Sequence, residues 1–160
     1  MRLLIAAGVR LRGFGRTAES INRTTNIAYL SAMPYNNYNE HMLATFKYNR
    51  IMAIIVIYGQ VRLLLQYAVR HRLKTVNVFP IGGGVFCNFK HDIIFAILLA
   101  DADNRQMWKE CKPHMPYPTM YINILSYSGD PNNSIYDKIV PEICAACSTD
   151  VADTTSPAKK

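Results

Sequence analysis

Apolar stretches of strand length alternate along this chain with longer stretches of helical character. Asn26 to Ala32 is a short, mostly apolar run that ends before Pro34, and it predicts a strand. Residues 48–73 contain no proline and a single glycine, with apolar side chains on all sides, which predicts one or two buried helices. Residues 75–80, rich in Val and Phe, predict a second strand.

The same alternation continues in the second half of the chain. The pattern predicts a helix at 90–102, a loop at 104–118, a strand at 120–127 and a short helix at 134–143. Asn88 is placed to cap the first of these helices, and its apolar stripe consists of Ile93, Ile94, Ile97 and Leu98. Strands that alternate with helices favour an α/β fold of three layers, with a mostly parallel or mixed sheet flanked by helices.

The glycine-rich segment at residues 81–88 joins a predicted strand to a predicted helix. Glycine has no Cβ, so it accepts positive φ and lets another group approach the backbone closely. A helix that starts just after such a turn points N–H groups at the same place, which favours a phosphate. The candidate ligand-binding residues here are Ile81, Gly82, Gly83, Gly84, Val85, Phe86 and Asn88.

Ligands of α/β folds bind where the strands end. That rule predicts one crevice formed by residues 31–37, 81–88 and 126–130. Ser31, Tyr35 and Asn36 are further candidates for ligand contact there, with Tyr35 stacking on a ring and the asparagine bonding a ribose or base. A tight turn is the alternative interpretation of the Asn- and Pro-containing loop.

The run from Arg62 to Ala96 resembles the macrodomain superfamily, and within it the branch of microbial poly(ADP-ribose) glycohydrolases. The family order is an Arg at a helix start, a strand, a Gly-x-Gly-Val-Phe loop, an Asn and a helix. The matching residues are Arg62, Leu65, Ala68, Val76, Val78, Gly82, Gly84, Val85, Phe86, Asn88 and the helix from Asp92. The resemblance covers roughly residues 26–130.

This resemblance implies binding of ADP-ribose or of an ADP-ribosylated protein. Residues 82–85 would hold the diphosphate through backbone N–H groups, and Phe86 would pack near the distal ribose. The family's catalytic Gln-Glu-Glu element is not present in this chain. The resemblance therefore implies a binding module or a degenerate or truncated enzyme, with glycohydrolase activity weak or lost. Cys87, with His91 four residues later, is a weaker candidate for a nucleophile.

Charge keeps a second class of function open. The chain carries 18 Lys and Arg against 11 Asp and Glu, a net charge of +7, which favours phosphate-bearing partners. With ten tyrosines for stacking, it also suits a basic nucleic-acid- or ribosome-associated structural protein without enzymatic activity. A steep fall of binding with salt would indicate that alternative.

Other features predict little specific chemistry. The pair Cys144 and Cys147 lacks the second pair of ligands that a zinc site needs, so no metal and no cofactor is predicted. Gln60, Arg62 and Gln66 make a membrane span at 51–69 costly, so no span is predicted.

The two ends of the chain differ in composition from the middle. Residues 1–25 begin Arg-rich and acid-free, as in a mitochondrial presequence, with an ordinary strand as the alternative. Residues 26–147 are predicted to form the α/β domain, and the polar residues 148–160 a disordered tail. A cytoplasmic location is predicted, and a mitochondrial one is the alternative.

Overall fold

A computed structural model of the chain describes residues 3–10, 24–34, 46–83, 86–125 and 139–145. Its elements are β1 (Leu4–Arg10), β2 (Thr24–Tyr29), α1 (Phe46–Arg70), β3 (Thr75–Val78), α2 (Lys90–Cys111) and β4 (Tyr121–Ile124). Residues 139–145 are also helical. The predicted mixed α/β character is confirmed.

The described strands form two separate pairs. β1 pairs with β2 in antiparallel fashion, whereas β3 pairs with β4 in parallel, from Thr75 opposite Tyr121 to Val78 opposite Ile124. Within the described residues no ladder joins the two pairs. The parallel pair is connected through α2, as parallel strands need a crossover.

The two long helices run in the same direction, side by side. Arg50 near the start of α1 bonds Asp92 near the start of α2, and Asn104 further along α2 bonds the Arg62 carbonyl. Their buried stripes repeat at helical spacing, and the buried face of β3 alternates as expected for a strand. The core thus formed contains Ile57, Val61, Leu65, Ala68, Val76, Val78, Ile93, Ile97 and Ala100.

Helix α2 is longer than the sequence pattern predicts. The predicted loop at 104–118 is wrong for residues 104–111, which continue the helix. Two side-chain pairs at i, i+4 spacing stabilise this turn: Arg105 with Asp101 at 2.7 Å and Gln106 with Glu110 at 2.7 Å. The apolar face of the helix also continues into this extension through Met107 and Trp108.

The start of α2 also differs from its prediction. Phe89 occupies the N-cap position, with φ −64° and ψ 134°, and no side chain caps the helix there. Asn88, predicted as the cap, instead donates its side-chain amide to the Met33 carbonyl at 3.1 Å. The side chain that the local pattern assigns to the helix cap therefore forms a tertiary hydrogen bond instead.

The remaining elements match their predictions except at the boundaries. The first predicted strand begins and ends slightly earlier, as β2. The predicted helical stretch at 48–73 is one helix, α1, which ends at Arg70, so residues 71–73 lie outside it. The N-terminal segment contains β1, which fits its interpretation as a strand and leaves the targeting alternative untested. The predicted tail at 148–160 lies outside the described residues.

One described helix segment, Arg50–Arg70, is apolar and long enough to cross a membrane, with a mean hydropathy of 1.6. The core helix of a soluble protein passes the same test. Three of its side chains, Ile57, Val61 and Leu65, lie fully inside the core. The prediction that no span is present stays a prediction.

Candidate functional site

The segment after β3 folds into a tight turn that requires glycine. The Gly83 N–H donates to the Pro80 carbonyl at 3.1 Å, and Gly82 has φ +81°. These are the features of a type II turn, whose third residue takes positive φ and is normally glycine. The prediction of a glycine turn between β3 and α2 is therefore confirmed at Gly82.

Gly82 is also the point at which two strand-end segments meet. A Cβ at this position would overlap the Asn88 side-chain amide and would lie 2.7 Å from the Ala32 Cβ. Asn88 donates its backbone N–H to the Gly82 carbonyl at 2.9 Å, and its side chain reaches Met33. Glycine is needed here because a close backbone approach and a positive φ coincide.

A buried glutamine fixes the other side of this junction. Gln60 on α1 is only 6% exposed. Its Oε1 accepts a hydrogen bond from the Ser31 N–H at 2.7 Å, and its Nε2 donates to the Ser31 carbonyl at 2.8 Å. Both polar groups of one backbone residue are thereby satisfied by one side chain.

Sequence reasoning missed this role of Gln60. The residue entered the sequence argument only as a cost to a membrane span. A lone glutamine within an apolar helix could have indicated a hydrogen-bonded partner, because buried amides are rarely left unpaired. The sequence carries no signal for the partner itself, since Ser31 lies far from it along the chain.

An open cleft of about 760 Å³ adjoins the turn, between β2 and β3 and above the carboxyl half of α1. Gly82 and Phe86 line it from the glycine loop, and Phe86 is 39% exposed. Asn26 and Asn77 add amide groups from the two strands, and Tyr67 adds a ring from α1. The cleft therefore combines aromatic and amide surfaces beside a glycine turn.

The structure brings together part of the predicted site. Ser31 lies on the segment that packs on Gly82, and Ile81 lines the cleft with Phe86. Leu125 donates its N–H to the Val78 carbonyl at 2.9 Å, so the segment after β4 starts beside the glycine loop. The predicted site residues outside the described ranges are Tyr35, Asn36, Gly84 and Val85, and residues 126–130 also lie outside.

Two backbone donors of the loop are already used within it. The Gly83 N–H is bound by Pro80, and the Asn88 N–H by Gly82. The start of α2 has no side-chain cap, and a helix N-terminus favours an anion. The acid of that first helical turn, Asp92, is neutralised by a two-bond pair with Arg50 at 2.7 and 2.8 Å.

Cys87 and His91, the candidates for covalent chemistry, lie on either side of the start of α2. Cys87 is exposed with φ +53°, and the His91 Nε2 lies 3.7 Å from the Glu142 carboxylate. Within the described ranges, no three His, Cys, Asp or Glu side chains are grouped as a metal would require.

Neither a protein-family model nor a curated protein sequence matches this chain.

Proposed function

We propose that this chain binds ADP-ribose, or a related nucleotide diphosphate, in the open cleft that adjoins the turn at 80–83. The observation that carries the proposal is Gly82, which holds a left-handed conformation where two strand-end segments touch. In α/β folds this junction is where phosphate-bearing ligands bind, because backbone donors gather there. A three-layer macrodomain-like arrangement of the sheet is part of the same proposal.

Three features of the cleft support a nucleotide over a simple anion. The exposed ring of Phe86 provides a surface for a sugar or base, next to the turn that would hold the diphosphate. Asn26 and Asn77 line the same cleft with amides that can read hydroxyl groups or a base edge. A net charge of +7 raises the local concentration of a dianionic ligand.

Binding without efficient turnover is the form of this function that we propose. The diphosphate is recognised by backbone amides, which need no side-chain charge and no general acid. Because the Gln-Glu-Glu element is absent from the sequence, hydrolysis of an ADP-ribose linkage is not part of the proposal.

Calorimetric titration of the full chain with ADP-ribose tests the proposal, with substitutions at Gly83. This glycine does not have positive φ, and an added Cβ would lie 3.3 Å from the Pro80 carbonyl and 3.4 Å from Ile93 Cδ1, which calls for only a small shift. Gly83→Asp and Gly83→Asn have nearly equal volume and differ in charge. We expect the Asp variant to lose at least about tenfold in affinity relative to the Asn variant, through repulsion of the phosphates.

Three results would contradict or redirect the proposal. Folded wild-type protein that releases no binding heat with ADP-ribose would refute it. Equal affinities of the Asp and Asn variants would show that the diphosphate does not bind at this turn. Binding of a single-stranded oligonucleotide that falls steeply with salt, and is equal in both variants, would favour the nucleic-acid alternative.

A further inference from the structure

A second cavity lies at the opposite end of the helix pair from the glycine loop. It has a volume of about 300 Å³ and is formed by the last turns of α1 and α2 and by the segment after α2. No residue lines both this cavity and the cleft beside Gly82. Its volume is at the small end of the range for ligand pockets, which suits a ligand of one or two rings.

The walls of this cavity are aromatic and apolar. Trp108 and Tyr117 meet edge to face, with ring centroids 5.9 Å apart, and Val69 and Met107 complete the apolar surface. The Trp108 ring is held in place because its indole N–H donates to the Met115 carbonyl at 3.0 Å. A flat aromatic ligand would therefore meet a fixed ring and a flexible thioether.

Two side chains that line the cavity hold buried polar atoms without a partner. Asn104 is 3% exposed, and its Nδ2 donates to the Arg62 carbonyl at 3.2 Å, which fixes the orientation of the amide. Its Oδ1 is buried, and nothing in the described part of the chain donates to it. The Tyr117 hydroxyl is likewise buried and unpartnered among those residues.

Unpaired buried groups of this kind call for a ligand or water, because leaving them unsatisfied is costly. An N–H of a ligand would satisfy the Asn104 oxygen, and a polar atom of either kind would satisfy the tyrosine hydroxyl. Burial also raises the pKa of Tyr117 above its usual value, which keeps this hydroxyl neutral and able to donate. Both atoms are covered in the ligand-free chain, so a ligand reaches them only when the side chains that cover them move aside.

The rim of the cavity is cationic. Arg70 at the end of α1 and Lys112 after α2 both line it and are exposed, and the Lys112 ammonium lies 4.1 Å from the centre of the Trp108 ring. Asp101, whose charge acts on the Tyr117 hydroxyl, is bound to Arg105 at 2.7 Å. Glu110 in the last turn of α2 accepts a hydrogen bond from Gln106 at 2.7 Å. An anionic group at the mouth of the cavity is therefore favoured.

We propose that this cavity is a binding site for a small aromatic carboxylate that carries an amino or ring N–H group. The ring lies against Trp108, the N–H donates to Asn104, and the carboxylate faces Arg70 and Lys112. The proposal is independent of nucleotide binding at the glycine loop, since the two sites share no residue.

Titration of the full, isotope-labelled chain with 2-aminobenzoate tests this site by nuclear magnetic resonance. Trp108 is the only tryptophan, so the single indole N–H signal reports on the cavity directly. We expect a saturable shift of that signal by 2-aminobenzoate. Aniline lacks the carboxylate, so its affinity should be lower than that of 2-aminobenzoate by a factor of about ten.

Two variants with matched controls locate the binding. Tyr117→Phe removes only the unpartnered hydroxyl and should weaken 2-aminobenzoate about tenfold, whereas Tyr121→Phe at an exposed strand position should not. Cys111→Phe adds a ring at an exposed residue that lines the cavity and should block binding. Cys144→Phe adds the same ring at an exposed cysteine that does not line it.

The following results would overturn the proposal. The absence of a saturable shift in folded wild-type protein would show that the cavity holds water alone. Equal affinity for aniline and 2-aminobenzoate would show that the cavity does not select a carboxylate. Unchanged affinity in both Tyr117→Phe and Cys111→Phe would place the binding elsewhere.

Discussion

The two ends of the helix pair treat buried polar groups in different ways. At the glycine-loop end, Gln60 satisfies both backbone groups of Ser31, and Asn88 joins Gly82 to Met33. At the other end, Asn104 and Tyr117 hold buried atoms with no partner among the described residues. Side chains that complete the backbone make a rigid junction, whereas unpaired side-chain atoms leave capacity for a ligand.

The comparison is not absolute, because Asn88 Oδ1 at the loop end is also buried and unpartnered within the described ranges. The difference lies in what would be lost by substitution. Polar side chains at the junction hold backbone in place, so their removal should destabilise the fold. The Tyr117 hydroxyl bonds to no residue in the described part of the chain, so its removal should not.

Substitution of Gly82 by alanine should have the largest effect on stability. The variant would combine strain at φ +81° with overlap of Asn88 and Ala32, and we expect a loss of about 3 kcal/mol in the free energy of unfolding. Denaturant unfolding measures it. Gly8→Ala is the control, because Gly8 has φ +67° with nothing within 4 Å, and strain alone should cost about 1 kcal/mol. Equal losses would show that the contact at Gly82 contributes nothing.

Removal of the Gln60 side-chain amide, which bonds both backbone groups of Ser31, should have the next largest effect on stability. Gln60→Leu keeps the size of the side chain and leaves a backbone N–H and carbonyl without their partners, which should cost about 2 kcal/mol. Gln66→Leu on the same helix is the control, and we expect it to be close to neutral. Chemical denaturation of both variants gives the comparison, and a neutral Gln60→Leu would argue against a rigid junction.

Tyr117→Phe should change stability little, and in the opposite direction. Since the hydroxyl is buried with no partner among the residues that the structure describes, its loss should leave the free energy of unfolding within about 1 kcal/mol of wild type, on the stabilising side. Thermal unfolding of the ligand-free protein measures the shift. A clear destabilisation would reveal a hydrogen bond to this hydroxyl and would narrow the contrast between the two ends.

Alkaline pH should reveal the raised pKa values of two tyrosines, which leave the pH dependence of stability near neutral pH unchanged. A hydrogen bond to Asp103 raises the pKa of Tyr58, and burial raises that of Tyr117, both above the ordinary value of 10.0. The unfolded chain therefore loses these protons first as pH increases. Their contribution to stability is fully present below pH 10.0 and is lost as pH rises through the folded-state pKa values.

The measurement is the free energy of unfolding as a function of pH in wild type and in Tyr58→Phe and Tyr117→Phe. Each variant should show a shallower decline above pH 10.0 than wild type. Identical slopes in all three proteins would mean that neither hydroxyl is perturbed by its surroundings.

Sequence patterns predicted the helices and strands better than they predicted where α2 ends and what caps it. The order of strand, long helix, strand and helix follows from apolar spacing, and the turn at Gly82 follows from its triple glycine. The same patterns failed at residues 104–111, where pairs of polar side chains extend the helix. They also assigned Asn88 to a helix cap that the structure does not use.

The reason for these failures is physical. Asn88 is bonded to a carbonyl 55 residues away and Gln60 to a backbone 29 residues away, so neighbours along the chain do not reveal either role. The extension of α2 rests instead on local i, i+4 pairs, which apolar spacing alone does not record. Once a distant partner satisfies a side chain, its local preference no longer decides its conformation. Such partners leave no periodic signal in the sequence.

The sequence by itself determined the mixed α/β class, the helical and extended stretches and the need for glycine after the second predicted strand, because these depend on local spacing and backbone sterics. Tertiary structure alone decided that Gln60 holds Ser31 and that Asn88 ties two loops together. It also decided that residues of α1, α2 and the following segment enclose a cavity beside Trp108. Those outcomes depend on which distant surfaces meet, and only packing of the whole chain settles that.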